Sequence, residues 1–270
     1  MPELPEVETT LRGIAPSLEG RRLTGAVVRQ ARLRYPVPSD LADHVRGKRI
    51  RSIQRRAKYL VFDLGEEALL VHLGMSGSLR MVPRDAPPGP HDHFDLVAGR
   101  ECLRLRDPRR FGLVLLHPQP VREHPLLAHL GPEPLGREFD GDYLYDESRG
   151  RTLAVKNFIM NSQVVVGVGN IYASESLFLA GIHPARAAGR ISRARYDRLE
   201  NAIRNRLVAA IEQGGTTLRD FVREDGRPGY FTQQLAVYGR DGEPCPACGR
   251  AIALRVIGQR SSYFCSRCQR

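Results

Sequence analysis

The stretch CPACGRAIALRVIGQRSSYFCSRC, residues 245–268, decides the fold of the last part of the chain. It places four cysteines in the pattern C-x2-C-x16-C-x2-C: Cys245, Cys248, Cys265 and Cys268. Each pair suits a tight turn that presents two sulfurs to one ion, and the spacer is long enough for a β-hairpin that brings the pairs together. Because four thiolates leave no open position, the pattern predicts one structural Zn²⁺. Two disulfides are the alternative, which an intracellular location disfavours.

The charge of the whole chain indicates an anionic partner. The 270 residues include 41 Lys and Arg against 30 Asp and Glu, a formal net charge of +11. Nucleic acid fits this charge better than an acidic membrane does, with a basic but otherwise ordinary enzyme as the alternative. No stretch approaches the roughly 18 apolar residues of a membrane span, and the N-terminus lacks the segments of a secretory signal. We therefore expect a soluble, cytoplasmic protein without a membrane partner.

Upstream of the cysteine module the sequence is predicted to be helical. Three helices are expected: 151–161, 170–181 and 191–215. The last is the clearest, because apolar residues recur at helical spacing between a capping Ser192 and the glycines that begin at Gly214.

The region before the helices has the pattern of a β-rich domain. Residues 23–117 contain short β-branched or alternating runs, such as YLVFDL and HFDLVA, interrupted by Gly, Pro and Asp. A Pro- and Gly-rich segment near residue 130 separates this region from the helices. The predicted division is therefore a β domain at 1–130, a linker at 131–137, a helical domain at 138–234 and the cysteine module at 235–270.

The N-terminal segment PELPEVE, residues 2–8, concentrates acids in a basic chain. Pro5 suits the first turn of a helix, and acids are favoured at the positive end of a helix, so a purely structural role is one interpretation. That role leaves Pro2 unexplained. Removal of Met1 would expose its secondary amine, which titrates near 8 rather than near 10.4 as a lysine does. Such an amine can attack a sugar carbon and form an iminium, with Glu3 and Glu6 moving protons.

A second candidate site lies in the segment GVGN, residues 167–170. Glycines before a helix expose backbone N–H groups, which together with the helix dipole bind anions. Asn170 is expected to cap the helix that follows. A flexible turn with a cap is the alternative.

These motifs resemble those of the formamidopyrimidine-DNA glycosylase family. The matching segments span the chain in the family's order: PELPEVE at the N-terminus, RRAKYL at 55–60, HLGMSG at 72–77, DPRRFG at 107–112, VVGVGNIYASE at 165–175 and the four-cysteine finger. The resemblance implies an α+β multidomain fold: an N-terminal β-sandwich with flanking helices, a helix–two-turns–helix domain and a C-terminal zinc-finger β-hairpin.

The resemblance implies a bifunctional enzyme of base-excision repair. It would remove 8-oxoguanine and formamidopyrimidines from duplex DNA and then cut the abasic strand by β,δ-elimination, and a monomer is expected. An endonuclease VIII-like preference for oxidised pyrimidines is one alternative, although that branch usually opens with PEGPE. A non-catalytic nucleic-acid-binding protein is the other, although binding alone requires no acids facing phosphate.

The family's functional residues carry over to this chain position by position. The implied catalytic set has Pro2 as the Schiff-base nucleophile, Glu3 as proton donor, and Glu6, Lys58 and Arg260 in support. The implied DNA-binding residues are His72, Met75, His91, Arg109, Phe111, Lys156 and Asn170. Within this set Met75 and Phe111 would fill the space left by an extruded base, and Arg109 would pair with the orphaned cytosine. Lys58, His72, Asn170 and Arg260 would contact phosphates.

The chain departs from the family pattern near the expected base pocket. Asn157 and Phe158 replace a common Pro-Trp, and Gln163 stands where a basic residue is frequent. These changes leave the fine substrate preference open. Residues 216–231 match the segment that closes over the extruded base, with Gly226 among the residues that suit a mobile lid.

Overall fold

The computed structural model describes residues 2–215 and 235–270. The chain forms two compact units. The first runs to Ala128 and includes Gln213–Gly215; the second contains His129–Glu212 and Leu235–Arg270. The expected lid at 216–231 lies outside the described residues.

The first unit contains two four-stranded antiparallel sheets. One has the strand order β1-β6-β7-β5, formed by Gly25–Val28, Asp92–Ala98, Glu101–Arg106 and Ser78–Pro83. The other has the order β2-β3-β4-β8, formed by Ser52–Arg56, Tyr59–Asp63, Glu67–His72 and Leu113–Pro118. Helices α1, Leu4–Leu18, and α2, Leu41–Val45, accompany them. The expected β-rich N-terminal domain is confirmed.

One hydrophobic core joins both sheets to helix α1. It includes Phe62 and Leu69 from one sheet, Phe94 and Leu103 from the other, and Ile14 of α1, each 1% exposed or less. Each such side chain contributes about 1.5–3 kcal/mol by leaving water. The core therefore fixes α1 against the sheets, and with it the position of the N-terminal residues that precede the helix.

Two strands of this unit were not predicted from the sequence. Strand β2 reads SIQRR and strand β5 reads SLRMVP, so charged residues interrupt the apolar alternation. Both segments become strands because they pair with a neighbouring strand. Strand β2 forms five residue pairs with β3, and β5 forms six residue pairs with β7. Tertiary context overrides a weak local preference here.

The second unit is helical and ends in a two-stranded hairpin. Its helices are α3, Gly141–Ser148; α4, Val155–Met160; α5, Asn170–Leu179; and α6, Arg193–Glu212. The long helix expected at 191–215 is confirmed within two or three residues at each end. The helix expected at 151–161 begins later, because Ala154 is held in a β-bridge with Ala187.

The C-terminal hairpin consists of β9, Ala253–Ile257, and β10, Arg260–Phe264, paired in antiparallel register. The expected helical region and terminal β-hairpin module are thus both present. In the described parts of the chain, no helix combines the length and the apolar character needed to cross a membrane.

Candidate functional site

The start of helix α1 buries two carboxylates beside Pro2. Pro2 is buried, Glu3 is 2% exposed and Glu6 is 0% exposed. Glu3 is the N-cap, and its backbone N–H donates to Glu6 Oε2 at 2.8 Å within a capping box. Pro5 occupies the first turn, as expected. The arrangement satisfies helix-end donors and places two proton-accepting groups next to Pro2 in the chain.

The third acid of the segment behaves differently. Glu8 accepts hydrogen bonds from Arg12 at 3.0 Å and from Arg55 at 2.9 Å. Two ordinary ion pairs therefore account for Glu8.

The backbone of Gly215 lies close to Glu6. A Cβ at Gly215 would stand 3.2 Å from Glu6 Oε1. The φ of Gly215 is +81°, a conformation that residues with a side chain rarely adopt. Glycine therefore suits this position both for its conformation and for its close approach to the acid.

Lys58 and His72 form a second group in the same unit. Lys58 lies in the turn between β2 and β3, and Tyr59, which follows it, is the register partner of His72. Burial and the positive charges of Lys58 and Arg34 lower the pKa of His72 to about 4. Gly74 N–H donates to His72 Nδ1 at 2.9 Å, so the neutral ring carries its proton on Nε2. His72 is therefore an uncharged donor at neutral pH.

Two loops carry the residues expected to fill the space that an extruded base leaves in the DNA and to pair with the orphaned cytosine. Met75 lies between β4 and β5 and is half-buried, whereas Arg109 and Phe111 lie between β7 and β8 and are exposed. Phe111 is 44% exposed although it is a large apolar residue. The Arg109 guanidinium lies 5.0 Å from the centre of its ring. Phe111 is thus not a core residue, and the pair forms one exposed feature.

His91 borders this region. It is exposed, has φ of 70°, and its carbonyl accepts the backbone N–H of Asp107 at 2.9 Å. The first unit therefore holds most of the residues expected to act on or bind DNA: Pro2, Glu3, Glu6, Lys58, His72, Met75, His91, Arg109 and Phe111.

In the second unit, Asn170 departs from its expected role as a helix cap. Helix α5 begins at Asn170, and its N-cap is Gly169. Asn170 Nδ2 instead donates to the Ser261 carbonyl at 3.0 Å. Its buried Oδ1 has no hydrogen-bond partner among the described residues. The glycine before the helix leaves no side chain over its N-terminus, which suits the approach of an anion.

Lys156 lies beneath the finger hairpin. It is 0% exposed, and its Nζ donates to the Ser261 carbonyl at 2.8 Å and to Ser262 Oγ at 2.7 Å. Lys156 and Asn170 thus hold the same carbonyl, one residue after the exposed Arg260. In this structure Lys156 positions the strand that carries Arg260; direct contact between Lys156 and DNA stays a prediction.

The residues that depart from the family pattern lie in three different environments. Phe158 is fully buried and packs edge-on against Tyr196 at 6.1 Å between ring centroids. Asn157 meets the hairpin turn so closely that a Cβ on Gly258 would lie 2.3 Å from its Nδ2. Gln163 is exposed. Phe158 is therefore a core residue of the helical unit, and Asn157 contacts the finger.

The four cysteines form a group that fits one zinc ion. Their sulfurs all lie within 4.8 Å of one another, with Cys245–Cys268 at 3.9 Å and Cys248–Cys265 at 3.5 Å. A tetrahedral zinc with bonds of about 2.3 Å requires sulfurs about 3.8 Å apart. All four donors are sulfur, which matches a closed, structural site. The fifth cysteine, Cys102, is buried in strand β7.

Sequence reasoning missed Glu175, which joins helix α5 to the start of the finger region. Glu175 is 0% exposed, and its oxygens accept the backbone N–H groups of Ala236, Val237 and Tyr238, each at 2.9 Å. It also pairs with Arg206 at 3.0 Å. Only its place in the segment VVGVGNIYASE singled it out in the sequence, and that place does not reveal its partners.

Three domain models match the chain, and two of them describe domains of a single enzyme family. The formamidopyrimidine-DNA glycosylase N-terminal domain matches residues 1–114, the family's H2TH domain matches 130–222, and the zinc finger found in FPG and IleRS matches 242–270. With the cysteine geometry, the last match supports one structural zinc ion.

Relatives with this name match over the full length of the chain. The formamidopyrimidine-DNA glycosylase of Syntrophotalea carbinolica is 61% identical and that of Alkalilimnicola ehrlichii is 60% identical, with 100% of both chains covered in each case. Among solved structures, the MutM (Fpg) protein of Thermus thermophilus is 39% identical, with a TM-score of 0.89 over 99% of this chain and 98% of that one. A Lactococcus lactis Fpg mutant in complex with DNA containing Fapy-dG is 32% identical, with a TM-score of 0.93 over 99% of both chains. The buried acids behind Pro2, the paired loops and the four-cysteine finger thus occur in a chain that belongs, over its whole length, to the formamidopyrimidine-DNA glycosylase family.

Proposed function

We propose that this protein removes oxidised purines, such as 8-oxoguanine and formamidopyrimidines, from duplex DNA and then cuts the strand at the abasic site. The observation that carries the proposal is the full-length family match together with the two buried carboxylates that follow Pro2. The Lactococcus lactis relatives were solved with DNA that contains Fapy-dG or an abasic site, which supports the same substrate class.

Pro2 supplies the nucleophile in this proposal. With Met1 removed, its secondary amine attacks C1′ of the damaged nucleotide and the glycosidic bond breaks. The base leaves with a proton, and the opened sugar remains as an iminium on Pro2. Loss of the C2′ proton then expels the 3′ phosphate, and a second elimination expels the 5′ phosphate.

Glu3 and Glu6 handle the protons of this sequence. Glu3 donates a proton to the sugar and accepts one from it as the ring opens and the iminium forms. Glu6 holds the Glu3 backbone N–H, so it fixes the turn that carries both Pro2 and Glu3. Their burial supports this role, because a carboxylate shielded from water exchanges its proton with the substrate rather than with solvent.

The remaining residues bind the extruded nucleotide and the DNA around it. Arg109 and Phe111 are exposed on one turn, as a group that enters a base stack must be. Lys58, His72, Asn170 and Arg260 contact phosphates. His72 does so as a neutral Nε2–H donor, and Asn170 does so at the start of helix α5.

His91 also contacts DNA in this proposal, and Lys156, a further candidate DNA contact, holds the hairpin strand next to Arg260. The zinc ion fixes the finger and takes no part in the chemistry. The protein acts as a monomer in the bacterial cytoplasm, associated with the nucleoid through DNA. The relatives named in the preceding subsection are bacterial proteins, which supports this location.

Borohydride trapping on a lesion duplex tests the proposal. Wild-type protein should form a covalent adduct with a duplex that carries 8-oxoguanine opposite cytosine, and peptide mapping should place the adduct on Pro2. Protein that retains Met1 should form none. An adduct on Lys58 or Lys156 would contradict the assignment of Pro2, and binding without any adduct would favour a non-catalytic protein. A duplex with an oxidised pyrimidine tests the endonuclease VIII-like alternative.

A further inference from the structure

Two buried side chains connect the loop that carries Met75 to the turn that carries Arg109 and Phe111. Ser76 is 1% exposed and Asp107 is 0% exposed. Ser76 Oγ–H donates to Asp107 Oδ1 at 2.9 Å, across 31 positions of sequence. The family roles described above do not involve either residue.

The same two side chains hold both ends of the exposed turn. The backbone N–H of Arg109 donates to Ser76 Oγ at 3.2 Å, and the backbone N–H of Gly112 donates to Asp107 Oδ2 at 2.7 Å. Between these two fixed points lie Arg110, with φ of 56°, and the exposed Phe111. A non-glycine residue in the left-handed region persists only where its surroundings impose it, and these two hydrogen bonds do so.

Backbone packing between the loops leaves no room for them to slide. A Cβ on Gly74 would lie 2.4 Å from Gly112 N and 2.4 Å from the Phe111 carbonyl carbon. A Cβ on Gly112 would lie 2.8 Å from the His72 carbonyl oxygen. The hydrogen-bonded pair therefore fixes two segments that already touch through their main chains.

Asp107 is itself held by a third segment. Its backbone N–H donates to the His91 carbonyl at 2.9 Å, and the His93 ring nitrogen Nε2 lies 3.0 Å from its carbonyl oxygen. A buried acid with defined donors on both oxygens rigidifies its surroundings more than an apolar residue does. The network thus ties three loops at one end of the sandwich.

We propose that Ser76 and Asp107 are positioning residues that set the mutual placement of Met75, Arg109 and Phe111 and so control which opposite base the enzyme accepts. This rests on the proposed function, in which Arg109 reads the orphaned cytosine. Neither side chain touches DNA. They act by keeping the Arg109 backbone and the Phe111 ring at a fixed distance from the Met75 loop.

The test compares excision of 8-oxoguanine opposite cytosine with excision opposite adenine, under single-turnover conditions. A good polar pairing discriminates between bases by about tenfold to a hundredfold, so Ser76→Ala should reduce the cytosine preference by about threefold to tenfold. Asp107→Asn keeps one acceptor oxygen and should have the smaller effect. Ser148→Ala is the matched control, because it also removes a buried, hydrogen-bonded hydroxyl, in the other unit, and should leave the preference unchanged.

A double variant separates positioning from general destabilisation. If Ser76 acts through Arg109, Ser76→Ala should change the preference no further in an Arg109→Ala background, since residues in one network are not additive. If Ser76→Ala keeps the full wild-type preference for cytosine while Arg109→Ala shows a reduced one, the positioning proposal is overturned and the proposed function is not. Absence of trapping by the wild type would instead overturn the proposed function. Denaturant unfolding of Ser76→Ala and Ser148→Ala shows whether the two variants are comparably stable. If Ser76→Ala fails to fold, the cytosine preference of Asp107→Asn is compared with that of the wild type instead.

Discussion

Removing the Glu175 carboxylate should strongly destabilise the second unit. Its two oxygens accept three consecutive backbone N–H groups, from Ala236 to Tyr238, and one N–H of Arg206. Glu175→Ala removes the acceptor of these four hydrogen bonds, and it removes the carboxylate that pairs with the Arg206 cation, which is 15% exposed as a side chain. The substitution therefore removes four buried or partly buried hydrogen bonds at once.

The expected magnitude follows from this geometry. Removing one partner of a buried ion pair costs about 3–5 kcal/mol. Each unsatisfied backbone donor adds about 1–3 kcal/mol, although water entering the space left by the side chain offsets part of that cost. We expect a loss of about 4 kcal/mol in the free energy of unfolding. With a slope of about 2 kcal/mol per molar urea, the midpoint should fall by about 2 M.

Urea unfolding followed by circular dichroism measures this loss. Glu147→Ala is the control, because Glu147 pairs with Arg151 at 3.0 Å in the same unit but is 43% exposed. An exposed pair of this kind contributes about 0–1 kcal/mol. Glu175→Gln, which keeps the shape and loses the charge, should lie between the two. A free energy of unfolding for Glu175→Ala within about 1 kcal/mol of the wild-type value, or no lower than that of Glu147→Ala, would refute this expectation.

Four other predictions concern the site. Glu3→Gln should bind lesion DNA and scarcely turn over, because it keeps the shape and loses the titratable proton; equal single-turnover rates would refute this. Cys248→Ser should lose zinc and DNA affinity together. Undiminished DNA binding by the metal-free variant would show that DNA binding does not depend on zinc. Arg109→Ala should shrink the preference for cytosine over adenine, measured on duplexes that differ only in the opposite base. The folded pKa of His72, about 4, lies below the ordinary value of 6.5, so the unfolded chain takes up the proton first and stability falls as the pH drops from 6.5 towards 4. Between about pH 7.5 and pH 5, the free energy of unfolding of His72→Gln should therefore fall by about 2 kcal/mol less than that of the wild type, as measured by denaturant unfolding. Identical losses in the two proteins would contradict the assigned pKa.

The sequence by itself determined the features that depend on local pattern. The spacing of the four cysteines predicted the metal group, because each tight turn presents two sulfurs and the spacer between the turns is long enough for a hairpin that joins the pairs. The periodicity of 191–215 predicted helix α6, and the family motifs identified Pro2, Glu3 and Arg109 as candidates. These signals lie within one short segment each, so no knowledge of long-range contacts was needed.

Only the tertiary structure decided what each polar side chain does. Strands β2 and β5 depend on pairing with neighbours, so their charged sequences conceal them. Lys156 stood out in the sequence as a candidate DNA contact, and the structure adds that its buried amine donates to Ser261 and Ser262, 105 and 106 positions away. Asn170 was expected to cap its helix, but its amide reaches the same carbonyl. A hydrogen bond between distant segments is set by how the chain packs, and no local spacing in the sequence encodes it.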